Sequence, residues 1–230
     1  MRVSILDSEG VYLSLPIAIG SSRVPSFGDT MERAAGAVFL LAASPVIATS
    51  AGIVSILSRR SPFIAHQRVG ERGELLWVWK LRTMWTRKAP EPREKGWVEY
   101  IVAEPIRGRK SPSDRRVTSR FAKLMRRYSI DELPQFWHVA RGEMSLVGPR
   151  PEMPSHARRF SSALPEYPQR LTVRPGLTGL AQVRGWRGDT SIRQRLISDL
   201  EYASRRGVAL YFTILAKTVA VEARRAAEAD

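Results

Sequence analysis

The 230-residue chain contains no cysteine. That excludes a disulfide framework, thiolate metal sites, iron–sulfur clusters and cysteine nucleophiles, and it agrees with a reducing cytoplasmic setting. Histidine is scarce as well. His66, His138 and His156 share no metal-ligand spacing, so all three read as structural. Lysine supplies only six of the 37 basic residues, which face 22 acids, so the net charge of +15 is almost wholly arginine. A charge of this size implies an anionic partner: nucleic acid, phospholipid headgroups or phosphorylated small molecules. With 43% apolar residues the chain can bury a core, which argues against a purely disordered polycation. The length fits one domain, or one domain with appendages.

Residues 1–30 show mixed polarity and no period, and read as a leader. Between Arg33 and Arg59 lie 25 consecutive residues without a charge. A helix of roughly 20 mostly apolar residues reaches across a hydrocarbon core, so this stretch is long enough. It starts too deep in the chain for a secretory signal. Ser44-Pro45 falls near its middle, where proline removes a backbone donor and clashes with the preceding turn. Either a kinked helix spans the bilayer, or the helix turns back and leaves by the face it entered. The second is allowed if the freed backbone groups find partners such as the Ser44 hydroxyl. A buried helix in a soluble core is the third reading. Arginines flank both ends, so charge does not assign them to opposite sides.

Beyond Pro62 the chain changes character. Leu75-Leu76-Trp77-Val78-Trp79 predicts a strand, and residues 86–115, rich in Pro, Gly and charge, predict an exposed loop. Val117, Phe121, Leu124 and Tyr128 recur at helical spacing on an arginine-rich segment from Arg116 to Tyr128. Residues 133–140 read as a helix ended at Gly142. Residues 145–190 are turn-rich, and 191–229 are helical with a break at Gly207.

Ser129-Ile130-Asp131-Glu132-Leu133-Pro134-Gln135 is the most informative segment. It reads as a capping box, with Ser at the N-cap and Glu three residues on. It also reads as an anion-attracting site, two adjacent carboxylates at a helix start behind an arginine-rich helix. Such a pair suits metal-assisted phosphoryl chemistry, one carboxylate on Mg²⁺ and one free as nucleophile or base.

Further segments carry a family resemblance. Glu143-Met144-Ser145-Leu146-Val147-Gly148-Pro149-Arg150-Pro151, just after the Asp131-Glu132 segment, resembles the bacterial sugar transferases, the monotopic phosphoglycosyl transferases. So do Gln67-Arg68-Val69-Gly70, Lys80-Leu81-Arg82-Thr83-Met84, the Ser44-Pro45 helix break and Val173-Arg174-Pro175-Gly176-Leu177-Thr178-Gly179-Leu180-Ala181-Gln182-Val183. The resemblance runs from about residue 31 to about residue 220 in one order. It implies transfer of a phospho-sugar from a UDP-sugar to polyprenol (undecaprenyl) phosphate with release of UMP. Asp131 would be the nucleophile in a ping-pong mechanism, and Glu132 would hold Mg²⁺. Arg126 and Arg150 match arginines near the phosphates, a task that planar guanidinium suits. Lys80 and Asp199 match positions in or near the site.

The fold so implied is α+β and mostly helical. It has a leader at 1–30, a re-entrant membrane helix at 31–60, and a small cytosolic-face catalytic domain at 61–230 with amphipathic C-terminal helices. The implied setting is the cytoplasmic face of the bacterial inner membrane, against anionic phospholipid, with a homodimer compatible and no nucleic acid bound. Each residue also has a plainer reading. Arg126 serves as one more solvated arginine, Arg150 orders a turn, Lys80 snorkels, and Asp199 is a helix-surface acid near Arg195. Trp77, Trp79, Trp137 and Trp186 read as interfacial anchors or core residues. The sequence departs from the family pattern at the acidic Asp29-Thr30-Met31-Glu32-Arg33 start and at His138, Leu180 and Tyr211. The competing function is a non-catalytic basic protein on a membrane or a nucleic acid, for which no interleaved aromatic face or groove-binding module is evident.

Overall fold

A computed structural model describes residues 2–6, 12–16, 27–85, 96–101, 119–188 and 190–227. Strands β1 (Arg2–Leu6) and β2 (Tyr12–Pro16) pair as an antiparallel hairpin within the segment read as a leader. Helix α1 (Phe27–Ser58) then runs unbroken through Pro45, starting earlier than Met31. Proline at 45 leaves the Leu41 carbonyl without its usual amide partner. The Ser44 hydroxyl donates to that carbonyl at 2.8 Å, so the helix continues with the vacancy filled.

Both ends of α1 rest on the same globular body. At the start, Glu32 accepts from the Ser145 hydroxyl at 2.6 Å, the Leu146 amide at 2.8 Å and the Tyr211 hydroxyl at 2.6 Å. Arg174 donates to Asp29 at 3.0 Å. Near the end, Ala51 and Val54 pack with Leu81 and Met125. Between them Val38, Leu41 and Val46 face outward. Only 17% of the most apolar window of this helix is buried, so most of its apolar surface is not covered by the described residues.

Strands β3 (Phe63–Val69) and β4 (Leu75–Leu81) form an antiparallel hairpin, with Phe63 opposite Leu81 and Val69 opposite Leu75. The aromatic run is thus a strand, as its composition predicts. β5 (Val98–Ile101) adds to β3 in parallel, giving the order β4-β3-β5. This strand lies inside the stretch read as a loop, much of the rest of which lies outside the described residues. Helix α2 (Arg120–Arg127) leads through a 3-10 turn (Ile130–Gln135) into α3 (Phe136–Arg141), which Gly142 ends at a φ of 73°. Residues 116–118 of the expected helix lie outside the described residues.

The turn-rich region holds more structure than its composition predicts. Short strands β6 (Ser145–Val147) and β7 (Gly176–Thr178) pair in parallel, flanking α4 (Pro154–Ala163) and a 3-10 turn (Tyr167–Thr172). After α5 (Leu180–Val183) come α6 (Ile192–Arg205) and α7 (Val208–Ala227), broken at Gly207 as predicted. The largest core unites Val78 of β4, Val139 of α3, Leu146 and Val147 of β6, Tyr202 of α6 and Ile214 of α7. A second, built from Val69, Ala157, Tyr167, Leu171 and Leu196, fastens α4 and the second 3-10 turn to α6. These cores fix the three segments that carry the site: β4, the turn after α2, and the loop after β6. The architecture is α+β and mostly helical, as read from the sequence.

Candidate active site

The site begins where α2 ends. Its serine N-cap, Ser119, accepts from the Ala122 amide, but the second serine behaves differently. Ser129 sits in the left-handed region at φ 54°, costly for a residue with a Cβ, and turns the chain sharply out of α2. Its hydroxyl donates to Glu222 of α7 at 3.2 Å and caps no amide. Glu132 does not reach back to the Ser129 amide either. The capping-box reading therefore fails on both halves. The segment is a short 3-10 turn, so neighbouring cations rather than a long helix dipole supply the positive field.

Glu132 meets two of those cations. Lys80 Nζ lies 2.6 Å from Oε1, and the Arg150 guanidinium sits 2.5 Å from Oε1 and 3.4 Å from Oε2. Lys80 projects from β4 on the face of Val78, and its ammonium turns inward instead of snorkelling to an interface. The backbone beside it is fixed. The Trp79 amide donates to His138 Nε2 at 3.1 Å, while His138 Nδ1 donates to Glu143 at 2.6 Å. These bonds require a neutral imidazole with its proton on Nδ1.

Arg150 comes from the loop that leaves β6, and glycines shape that loop. A Cβ on Gly148 would stand 2.3 Å from the Arg174 carbonyl oxygen, and one on Gly179 would stand 2.2 Å from that of Gly148. The two backbones cross at a distance that side chains forbid. Pro149 and Pro151 then stiffen Arg150 on both sides.

The two acids differ in environment. Burial raises the Asp131 carboxyl above its ordinary value, Lys80 opposes that shift, and the Glu132 charge adds to it. Arg126, half-buried at the end of α2, also lowers it. Burial acts on Glu132 too, yet Lys80 and Arg150 together hold it well below the ordinary range. Burial lowers Lys80, against the pull of Glu132. No side chain of another described residue donates to Asp131. The result is one carboxylate held as an anion beside a neighbour whose carboxyl burial raises. Opposite shifts in adjacent titratable groups mark divided chemical roles.

Five of the six residues singled out in the sequence thus converge: Asp131, Glu132, Lys80, Arg126 and Arg150. Asp199 does not join them directly. It is 2% exposed, paired with Arg170 at 2.7–2.8 Å, and is not on a helix surface. Arg170, also 2% exposed, went unmarked by any spacing in the sequence. Its guanidinium donates to Asp199, to the Tyr167 hydroxyl at 3.2 Å and to the Arg150 carbonyl at 2.8 Å. Among the tryptophans, Trp77 meets Tyr100 edge-on, Trp79 packs against His138, and Trp137 stays 41% exposed.

Among the described residues, no three His, Asp or Glu side chains gather around a metal position. Mg²⁺ bound mainly through phosphate oxygens and water asks for only one or two carboxylates. Glu132 fits that role, because both cations share Oε1 and Oε2 carries only the 3.4 Å contact.

Comparison with known proteins assigns the family. The family described as bacterial sugar transferase matches residues 26–225. The chain is 39% identical over 177 residues to a UDP-glucose:undecaprenyl-phosphate glucose-1-phosphate transferase of Caulobacter vibrioides, covering 75% of this chain and 60% of that protein. It is 36% identical over 186 residues to the exopolysaccharide production protein ExoY of Rhizobium meliloti, covering 80% of each. A UDP-galactose-lipid carrier transferase of Erwinia amylovora is 36% identical over 166 residues, 72% of this chain and 34% of that protein. The chain therefore spans less than two thirds of some of these relatives and most of another. With its glycine-shaped Arg150 loop and paired acids inside the matched region, the chain belongs to the bacterial sugar transferase family.

Proposed function

We propose that the protein transfers a sugar phosphate from a UDP-sugar to polyprenol phosphate and releases UMP. One observation carries this reading: adjacent Asp131 and Glu132 lie within a cradle of Lys80, Arg126 and Arg150. An Asp131 oxygen attacks the phosphorus that bears the sugar, and the bond from that phosphorus to the bridging oxygen breaks. UMP leaves with the bond's electrons, and the sugar phosphate remains as an acyl phosphate on Asp131. A phosphate oxygen of the polyprenol phosphate then attacks the same phosphorus and expels the Asp131 carboxylate. Both steps spread negative charge over phosphoryl oxygens, which fixed cations stabilise. Arg150 and Lys80 orient the diphosphate, and Arg126 draws it towards Asp131. Mg²⁺ held by Glu132 would supply further neutralisation of the diphosphate.

The membrane reading rests on α1. Its outward-facing apolar middle asks for a hydrocarbon environment, while both its ends contact one body. Contact of both ends with one body supports a helix seated in the near leaflet rather than one that carries its ends to opposite faces. Val208, Phe212 and Val219 on α7 expose more apolar surface, and arginine favours anionic lipid. The site then faces the cytoplasm at the inner membrane, where UDP-sugars and polyprenol phosphate meet.

The test is UMP release from UDP-glucose, UDP-galactose and acetamido analogues, with and without polyprenol phosphate, using purified protein in detergent or nanodiscs. UMP formation from at least one donor supports the reading. Silence across the panel while the protein binds nucleic acid would favour the competing basic-protein reading.

A further inference from the structure

Behind the site lies a buried cluster that the reaction above does not use. Arg170 and Asp199 are both 2% exposed, in a region where an unpaired charge is strongly disfavoured. Three groups engage the Arg170 guanidinium: the Asp199 carboxylate, the Tyr167 hydroxyl and the Arg150 carbonyl oxygen. Glu152, two residues past Arg150, is fixed in parallel. Its carboxylate takes Arg195 at 2.7 Å, and its carbonyl accepts from the Val69 amide at 2.8 Å. The Arg150 loop is therefore tied at its backbone to β3 and to Arg170, which Asp199 links to α6, while the Arg150 guanidinium reaches Glu132.

We infer that Arg170, held by Asp199, is a positioning residue for Arg150: it fixes the backbone from which that guanidinium reaches Glu132 and the donor diphosphate. The inference rests on the sugar-phosphate transfer reading. It reassigns Asp199 from substrate contact to support of the loop. Planar, multidentate guanidinium is needed at 170, since one ammonium cannot serve the carboxylate and the Arg150 carbonyl together in this geometry. A displaced Arg150 would loosen the diphosphate without altering Asp131, so the loss falls on the step that UDP-sugar enters.

The test compares Arg170→Lys, Arg150→Ala and the double variant with the unchanged full-length protein. Lysine at 170 keeps a counterion for Asp199, so folding is retained; if it is not, Asp199→Asn carries the same comparison. Arg170→Lys lowers kcat/KM for the UDP-sugar about 10- to 100-fold in the otherwise native protein, in the range of supporting-residue losses. In the Arg150→Ala background the same change costs less than about twofold, because residues acting through one another are not additive. A second readout needs no turnover: modification of Arg150 by phenylglyoxal, mapped by peptide mass, becomes several-fold faster in Arg170→Lys. This labelling distinguishes failure of the inference from failure of the proposed reaction. Losses that multiply across the two backgrounds, or Arg150 labelling at the unmodified protein's rate, would overturn it.

Discussion

Replacing Glu132 by Gln removes one charge and little volume, and its consequences follow from the distances around it. In the native protein the carboxylate neutralises Lys80 at 2.6 Å and Arg150 at 2.5 Å. Deleting one member of a fully buried pair costs about 3–5 kcal/mol. Here the side chains of Lys80, Glu132 and Arg150 are 18%, 26% and 39% exposed, so solvent screening reduces the cost to roughly 1–3 kcal/mol. For a chain of this size that lowers Tm by about 3–10 °C. Glu132 has a depressed carboxyl, so its stabilisation is present above the ordinary glutamate range and fades as pH falls through its folded value. The Tm gap between native and variant protein therefore closes in acid. Catalysis suffers more. Two cations lose their fixed geometry, and Asp131 keeps the burial that raises it but loses the smaller push of the Glu132 charge. Losing a preorganised group of this kind costs about 10²–10³ in kcat, or about 2.7–4 kcal/mol. Calorimetry from neutral to acid pH and initial rates of UMP release measure both effects. An unchanged Tm together with a rate within threefold of native would refute the claim that this carboxylate organises the site.

Three further outcomes are expected. Gly148→Ala drives a methyl into the Arg174 carbonyl at the strand crossing, costs about 1–3 kcal/mol or more, and lowers activity; native Tm and rate would remove that crossing from the argument. Burial lowers His138, which accepts from the Trp79 amide only when neutral, so stability falls as pH drops below the ordinary histidine value towards the lower folded one. A His138→Asn variant should show a flatter Tm profile over that interval. Because the chain has no cysteine, Met31→Cys and Arg59→Cys can report the two ends of α1. A membrane-impermeant maleimide should label both from the cytoplasmic face alone, and labelling from opposite faces would establish a span.

Some of this was legible in the residues and some was not. The uncharged run, the aromatic run and the break at Gly207 announced α1, β4 and the pair α6–α7, because local periodicity and composition decide such elements. β5 was not legible. Its four residues sit in a charged stretch, and only parallel pairing with distant β3 makes them a strand. α4 was masked by Pro154, which is tolerated at the first turn of a helix, and by a serine- and arginine-rich sequence. Of the two readings left open at Ser129 the cap failed because tertiary partners, Glu222 for the serine and Lys80 with Arg150 for the glutamate, outcompeted the local bonds. Arg170 was hidden by abundance: in a chain so rich in arginine, composition cannot distinguish the buried guanidinium from the solvated ones. Tyr211, a departure from the family pattern, found a purpose in bonding Glu32 across from α7 to α1.

The most direct measurement of the central claim is intact-protein and peptide mass spectrometry after incubation with UDP-sugar and Mg²⁺ but no acceptor. The account predicts release of UMP with a sugar-phosphate mass added on the peptide containing Asp131. That adduct should be absent in Asp131→Asn and discharged by added polyprenol phosphate. Turnover by the native enzyme that leaves no adduct, or an Asp131→Asn variant that still forms product, would contradict it.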